Sequence, residues 1–170
     1  MAHIRGFPPI SREDARVLIL GSMPSRESLA RQQYYAHPRN GFWPILTTLL
    51  EIEDSSYSAR TRALVRRGVA IWDVLKACVR PGSLDSAIDE GTLVTNEFQL
   101  FFDEHTLVRA VFFNGAKAES VYRKHVLPGL SGAAAELRLQ RLPSTSPAHA
   151  AMTLEQKMAS WRVLLDYVIE

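Results

Sequence analysis

Four short apolar runs constrain the fold most. They lie at residues 17–20 (VLIL), 69–74 (VAIWDV), 110–113 (AVFF) and 137–142 (LRLQRL). All four read as buried strands. The first three are nearly continuous in apolar residues, as expected when helices cover both faces of a sheet. The fourth alternates, as an edge strand does. Helical stretches are expected between them, at residues 28–35, 42–50, 59–67, 96–104, 116–126 and 153–169. The last places Leu154, Met158, Trp161, Leu165 and Val168 along one stripe. Strands alternating with helices predict an α/β domain with a parallel sheet. The 170 residues suit one domain, residues 1–170, with no repeat and no interdomain linker.

Composition narrows the function classes. Hydrophobic residues make up 46% and charged residues 22%, an ordinary globular balance. No apolar run approaches the roughly 20 residues that span a bilayer, so no membrane partner is expected. The opening residues lack the apolar core of a signal peptide, and a cytoplasmic protein is expected. Cys78 is the only cysteine, which rules out an internal disulfide. Residues 1–80 carry 12 basic and 7 acidic side chains, against 8 and 11 in residues 81–170. The basic excess is mostly arginine, whose planar fork suits phosphate. A polyanion bound by the first half and a mixed solvated surface both fit that distribution.

In open parallel sheets, ligands bind beyond the carboxyl ends of the strands. Those ends read Gly21-Ser22-Met23-Pro24-Ser25, Asp73 followed by residues 80–86, Asn114-Gly115, and Pro143-Ser144-Thr145-Ser146-Pro147. All are small, polar or turn-forming. The first is neither a nucleophile elbow nor a phosphate-binding P-loop. The five histidines show no metal-ligand spacing; His105 and His125 are expected on helix surfaces, and Cys78 in the core or on a helix. No lysine stands at a strand end to form a Schiff base. Asp73 and Asp85 are the only carboxylates expected on this rim.

Residues 34–43 (YYAHPRNGFW) carry more than a helix start requires. Asn40 with Pro44 suits an N-cap and first turn, but Tyr34, Tyr35, His37 and Arg39 add aromatic and basic groups ahead of it.

Taken together, GSMPS (21–25), YYAHPRNGFW (34–43), IWDVL (71–75), RPGSLDS (80–86), FNG (113–115) and LPSTSPA (142–148) resemble the uracil-DNA glycosylase superfamily, most closely its hypoxanthine-DNA glycosylase branch. The second stretch also resembles AHPxNRFW of the mismatch-specific uracil glycosylases. The resemblance implies a three-layer α/β/α domain whose four-stranded parallel sheet has order 2-1-3-4. It implies a DNA repair enzyme acting on double- or single-stranded DNA that contains a deaminated base. The base is flipped out and its bond to the sugar is hydrolysed, leaving an abasic site. No metal or cofactor takes part, and a monomer is expected.

The same resemblance assigns residues. Asn40 and Asn114 become the catalytic pair. Tyr35, Gly21, Ser22, Met23 and Asp73 would surround the base, with Tyr35 stacking on it. Ser25, His37, Arg39, Ser144, Thr145, Ser146 and Pro147 would meet DNA, with Thr145 or Pro147 filling the gap left by the flipped base. Each assignment has a plainer alternative. Asn40 can cap a helix, Tyr35 can pack the following helix, Asn114 can be a left-handed turn residue, Asp73 can brace Arg80, and 143–147 can be a simple turn. Met23 stands where many superfamily members place an aspartate or asparagine that activates water, and a thioether cannot do that. Hypoxanthine is therefore the expected base, since a departing purine needs oriented donors more than nucleophilic push. A uracil or broad deaminated-base glycosylase and a non-catalytic DNA-binding relative are the alternatives.

Overall fold

A computed structural model describes residues 3–53 and 55–170. In chain order it contains β1 (Ile4–Arg5), β2 (Val17–Gly21), α1 (Arg26–Arg31), α2 (Phe42–Leu49), α3 (Tyr57–Arg66), β3 (Val69–Asp73) and β4 (Leu75–Cys78). There follow β5 (Val94–Thr95), α4 (Phe98–Glu104), β6 (Ala110–Asn114), α5 (Ala116–Val121), β7 (Arg138–Leu142) and α6 (Leu154–Trp161). The main sheet is parallel, in order β3-β2-β6-β7. That is the expected 2-1-3-4 arrangement, with the alternating strand β7 at an edge.

Side-chain alternation along the three apolar strands splits the core in two. Leu18, Leu20, Ala70, Trp72, Val111 and Phe113 pack on one face, against Phe98, Phe101 and Tyr122. Val17, Ile19, Val69, Ile71, Ala110 and Phe112 pack on the other, against Phe42, Leu46, Leu64 and Trp161. Each fully buried Leu, Ile or Phe contributes about 1.5–3 kcal/mol, so both helix layers are held firmly to the sheet.

Some expectations are corrected. Strands β1, β4 and β5 form a small antiparallel sheet that the apolar runs do not announce, because β1 and β5 are two residues long. The expected helix over 116–126 is α5 followed by a wider π-type turn, Tyr122–Val126, which buries both Tyr122 and Val126. The expected helix over 153–169 stops at Trp161 and tightens into a 3₁₀ segment, Arg162–Asp166. The tighter winding turns Leu164 fully into the core and leaves Leu165 and Val168 half-buried. His105 is not a surface residue. It is buried, stacks on Phe101 at 3.9 Å, and places its ring nitrogens 2.7 Å from Phe101 O and 3.0 Å from Ser11 Oγ. His125 is exposed as expected, and Cys78 is core. Among the described residues, no helix is long and apolar enough to cross a membrane.

Candidate active site

The carboxyl ends of the four parallel strands open into one cavity of about 570 Å³, within the roughly 300–1,000 Å³ typical of small-ligand sites. Gly21, Ser22, Met23, Ser25, Tyr35, Asn40, Asp73, Asn114, Ser144, Thr145 and Ser146 all line it. His37, Arg39 and Pro147 lie outside the lining.

The floor is made by Gly21, Asp73 and Tyr35. A Cβ at position 21 would stand 2.5 Å from Asp73 Oδ1 and 3.2 Å from the Tyr35 hydroxyl, so only glycine lets the three come together. Among the described residues Asp73 Oδ2 is buried without a hydrogen-bond partner; the Tyr35 hydroxyl, also buried, faces the Asn114 side chain. Burial raises the Asp73 carboxyl to about 7; the Asp85 charge adds to the rise and Arg80 opposes it. A carboxyl raised this far is available as the neutral acid near neutral pH, and the neutral acid offers one donor and one acceptor. It does not brace Arg80. The Arg80 guanidinium donates to Pro24 O at 2.6 Å and Gly82 O at 2.9 Å. Tyr35 has a backbone φ of 56°, a left-handed conformation uncommon outside glycine. Its ring stacks on Phe42 with centroids 3.9 Å apart, and burial pushes its hydroxyl pKa up.

Asn40 combines two alternatives. The N-cap position of α2 belongs to Gly41, which makes no side-chain cap. Asn40 Oδ1 still accepts the Phe42 N–H at 2.9 Å. Since only the oxygen can accept that proton, the amide orientation is fixed. The Nδ2 donors are left over.

Asn114 is not a left-handed turn residue. It ends β6, and Gly115 takes the positive φ of 97°. Its amide forms a closed pair with Thr145: Thr145 N donates to Oδ1 and Nδ2 donates to Thr145 Oγ1, both at 2.9 Å. The 143–146 loop is also held at three carbonyls. Trp161 Nε1 donates to Pro143 O at 2.9 Å, Gly41 N to Thr145 O at 2.9 Å, and Lys157 Nζ to Ser146 O at 3.3 Å. Thr145 is therefore an internal brace, and of the two residues expected to fill a gap in DNA only Pro147 is not buried. Ser144 and Ser146 accept local backbone N–H groups, which leaves their hydroxyl protons to donate elsewhere. Ser25 caps α1 by accepting from Ser28 N. His37 Nδ1 accepts from Arg39 N at 3.1 Å, and the Arg39 side chain is exposed.

The opposite wall is the 80–88 loop. Ser22 Oγ donates to Asp85 Oδ1 at 2.5 Å and Arg26 N donates to Ser83 Oγ at 2.9 Å. Leu84 and Lys117 also line the cavity; Lys117 is ion-paired with Glu90. The strand-end pattern does not signal Lys117, because it lies three residues beyond Asn114, inside α5. Among the described residues no group of three His, Cys, Asp or Glu could hold a metal ion.

The model of the "Uracil DNA glycosylase superfamily" matches residues 8–165 of this chain. The chain belongs to the uracil DNA glycosylase superfamily. Two relatives, each named hypoxanthine DNA glycosylase, are 37% identical to it. One, from Methanosarcina acetivorans, matches over 139 residues, 76% of this chain and 87% of the relative. The other, from Methanosarcina barkeri, matches over 116 residues, 67% of this chain and 72% of the relative. A solution NMR structure from Methanosarcina acetivorans, described as a candidate uracil DNA glycosylase, superposes with a TM-score of 0.77 at 32% identity. The match covers 96% of this chain and 99% of that one.

Proposed function

We propose that this protein is a monofunctional DNA glycosylase that releases hypoxanthine from deoxyinosine by hydrolysis and leaves an abasic site. The observation that carries the reading is the buried Asp73 carboxyl, whose Oδ2 has no hydrogen-bond partner among the described residues and whose pKa burial raises to about 7, in the same cavity as the Asn40 amide. A neutral carboxyl matches the carbonyl and N–H edge of hypoxanthine with one donor and one acceptor. The name shared by the two relatives supports the same base.

In this reading the C1′–N9 bond breaks as the purine leaves, and a water oxygen bonds to C1′ and gives up a proton that the departing base takes up. Asp73 donates toward the charge that grows on the base, which lowers the barrier to departure. Asn40 supplies N–H donors and a second lone pair on Oδ1, which orients water or base. Met23 can do neither. Asn114 positions the 144–146 loop through Thr145 rather than touching the base, and Ser144, Ser146, His37 and Arg39 meet phosphates. The deciding experiment presents the purified protein with matched duplexes carrying one inosine, uracil, xanthine or mismatched thymine. Abasic product is expected fastest from inosine, with or without EDTA. Preferred uracil release would move the substrate to uracil, and binding without product would make the chain a DNA-binding relative.

A further inference from the structure

We propose that Lys157 is a buried counter-ion for DNA. Its ammonium stands behind the 143–147 loop and is balanced by a backbone phosphate bound on the outer side of that loop. The inference deepens the glycosylase reading and rests on it for the nature of the polyanion. A cation taken out of water is costly unless an anion or several acceptors face it. Lys157 lacks both. The residue is 6% exposed, and Nζ donates to a single acceptor, Ser146 O, at 3.3 Å, although an ammonium carries three donors. Among the described residues no carboxylate pairs with it, and burial pushes its pKa down with no charge opposing the fall. Lys117, the lysine that lines the cavity itself, is by contrast already paired with Glu90.

The loop shows where the anion belongs. Lys157 and Trp161 stand one turn apart on α6 and take the carbonyls of Ser146 and Pro143. The carbonyl side of the loop thus faces inward. On the other side Ser144 and Ser146 line the cavity, and their hydroxyls accept local backbone N–H groups, which leaves their protons to donate outward. A phosphodiester held by those hydroxyls would have the ammonium behind it, across the thickness of one chain. Solvent and salt screen a buried charge less than an exposed one, so this lysine attracts the phosphate more strongly than a surface lysine at the same distance would. The free protein carries the cost of an unbalanced charge, and binding relieves it.

The test compares Lys157→Gln and Lys157→Met with the wild type in the full chain. Glutamine keeps an N–H donor for Ser146 O and removes the charge; methionine removes both. The probe is a duplex carrying a tetrahydrofuran abasic analogue, which has no base to release, and Kd is measured over a range of salt. Both variants should bind about fivefold or more weakly at low salt, and the slope of log Kd against log salt should fall by about 1 in both. Lys157→Met should also melt no lower than the wild type, because an apolar chain of similar length replaces an unbalanced buried charge. A wild-type salt slope in Lys157→Gln overturns the proposal, since the lysine would then only brace the loop. A Lys157→Met protein that melts well below the wild type overturns it too, because the charge would then be balanced within the fold. Wild-type protein that binds this duplex yet releases no base from inosine, uracil or xanthine would sink the glycosylase reading, and the salt slopes would still decide Lys157. Wild-type protein that does not bind the duplex would sink both.

Discussion

Asn40 gives one lone pair to the Phe42 amide and keeps its N–H donors, which makes aspartate the discriminating replacement. Asn40→Ala removes the hydrogen bond to the helix and is expected to cost on the order of 1 kcal/mol of stability. Asn40→Asp retains that acceptor, removes the N–H donors and adds a negative charge. Both variants should stay folded and lose most inosine excision; thermal melting and single-turnover rates on the same preparations check this. Wild-type rates in Asn40→Asp would reduce Asn40 to a helix brace and move the chemistry to Asp73. Asp73 makes its own prediction through pH. Burial, seconded by Asp85, raises its pKa from 3.8 to about 7. Between those values the folded state holds a proton that the unfolded chain has released, so this group's contribution makes stability fall as pH rises through the window and level off above it. Its donor is lost above about pH 7, and excision should decline there. Asp73→Asn keeps an N–H donor at every pH and should flatten that limb of the pH–rate profile.

The element that fixes the site is the join between β6 and the 143–147 loop. Thr145→Val keeps the shape of the side chain and deletes the acceptor of Asn114 Nδ2. A buried donor left unsatisfied costs about 1–3 kcal/mol. The variant should therefore melt several degrees lower and excise slowly even when fully folded, as followed by calorimetry and by rate measurements well below the midpoint. This join also shows where sequence reading stops. The apolar strands are legible because their side-chain pattern is long and local, whereas the order of the sheet comes from the resemblance to the superfamily and not from that pattern. Asn114 and Thr145 both stand out in the sequence, but their pairing spans 31 residues and leaves no local trace, so the resemblance assigns one to catalysis and the other to DNA without showing that they meet. His105 misled for a similar reason. Its helix looked like a surface one, and its partner Ser11 is 94 residues away.

At the scale of the molecule, the two-layered core holds the strand ends in register and the rim loops are tied to one another. Arg80 holds Pro24, Ser22 holds Asp85, Gly41 holds Thr145, and Thr145 holds Asn114. Every loop around the cavity has a partner on another loop, and the site is assembled before any substrate arrives. A ring of ties this complete has a consequence for how damage is found. The protein has little left to rearrange, so most of the bending and opening falls on the DNA. Lesions would then be sorted by their own dynamics. Weakly paired nucleotides, which visit the extrahelical state more frequently, would be caught first, and sound pairs would close again before the enzyme could retain them.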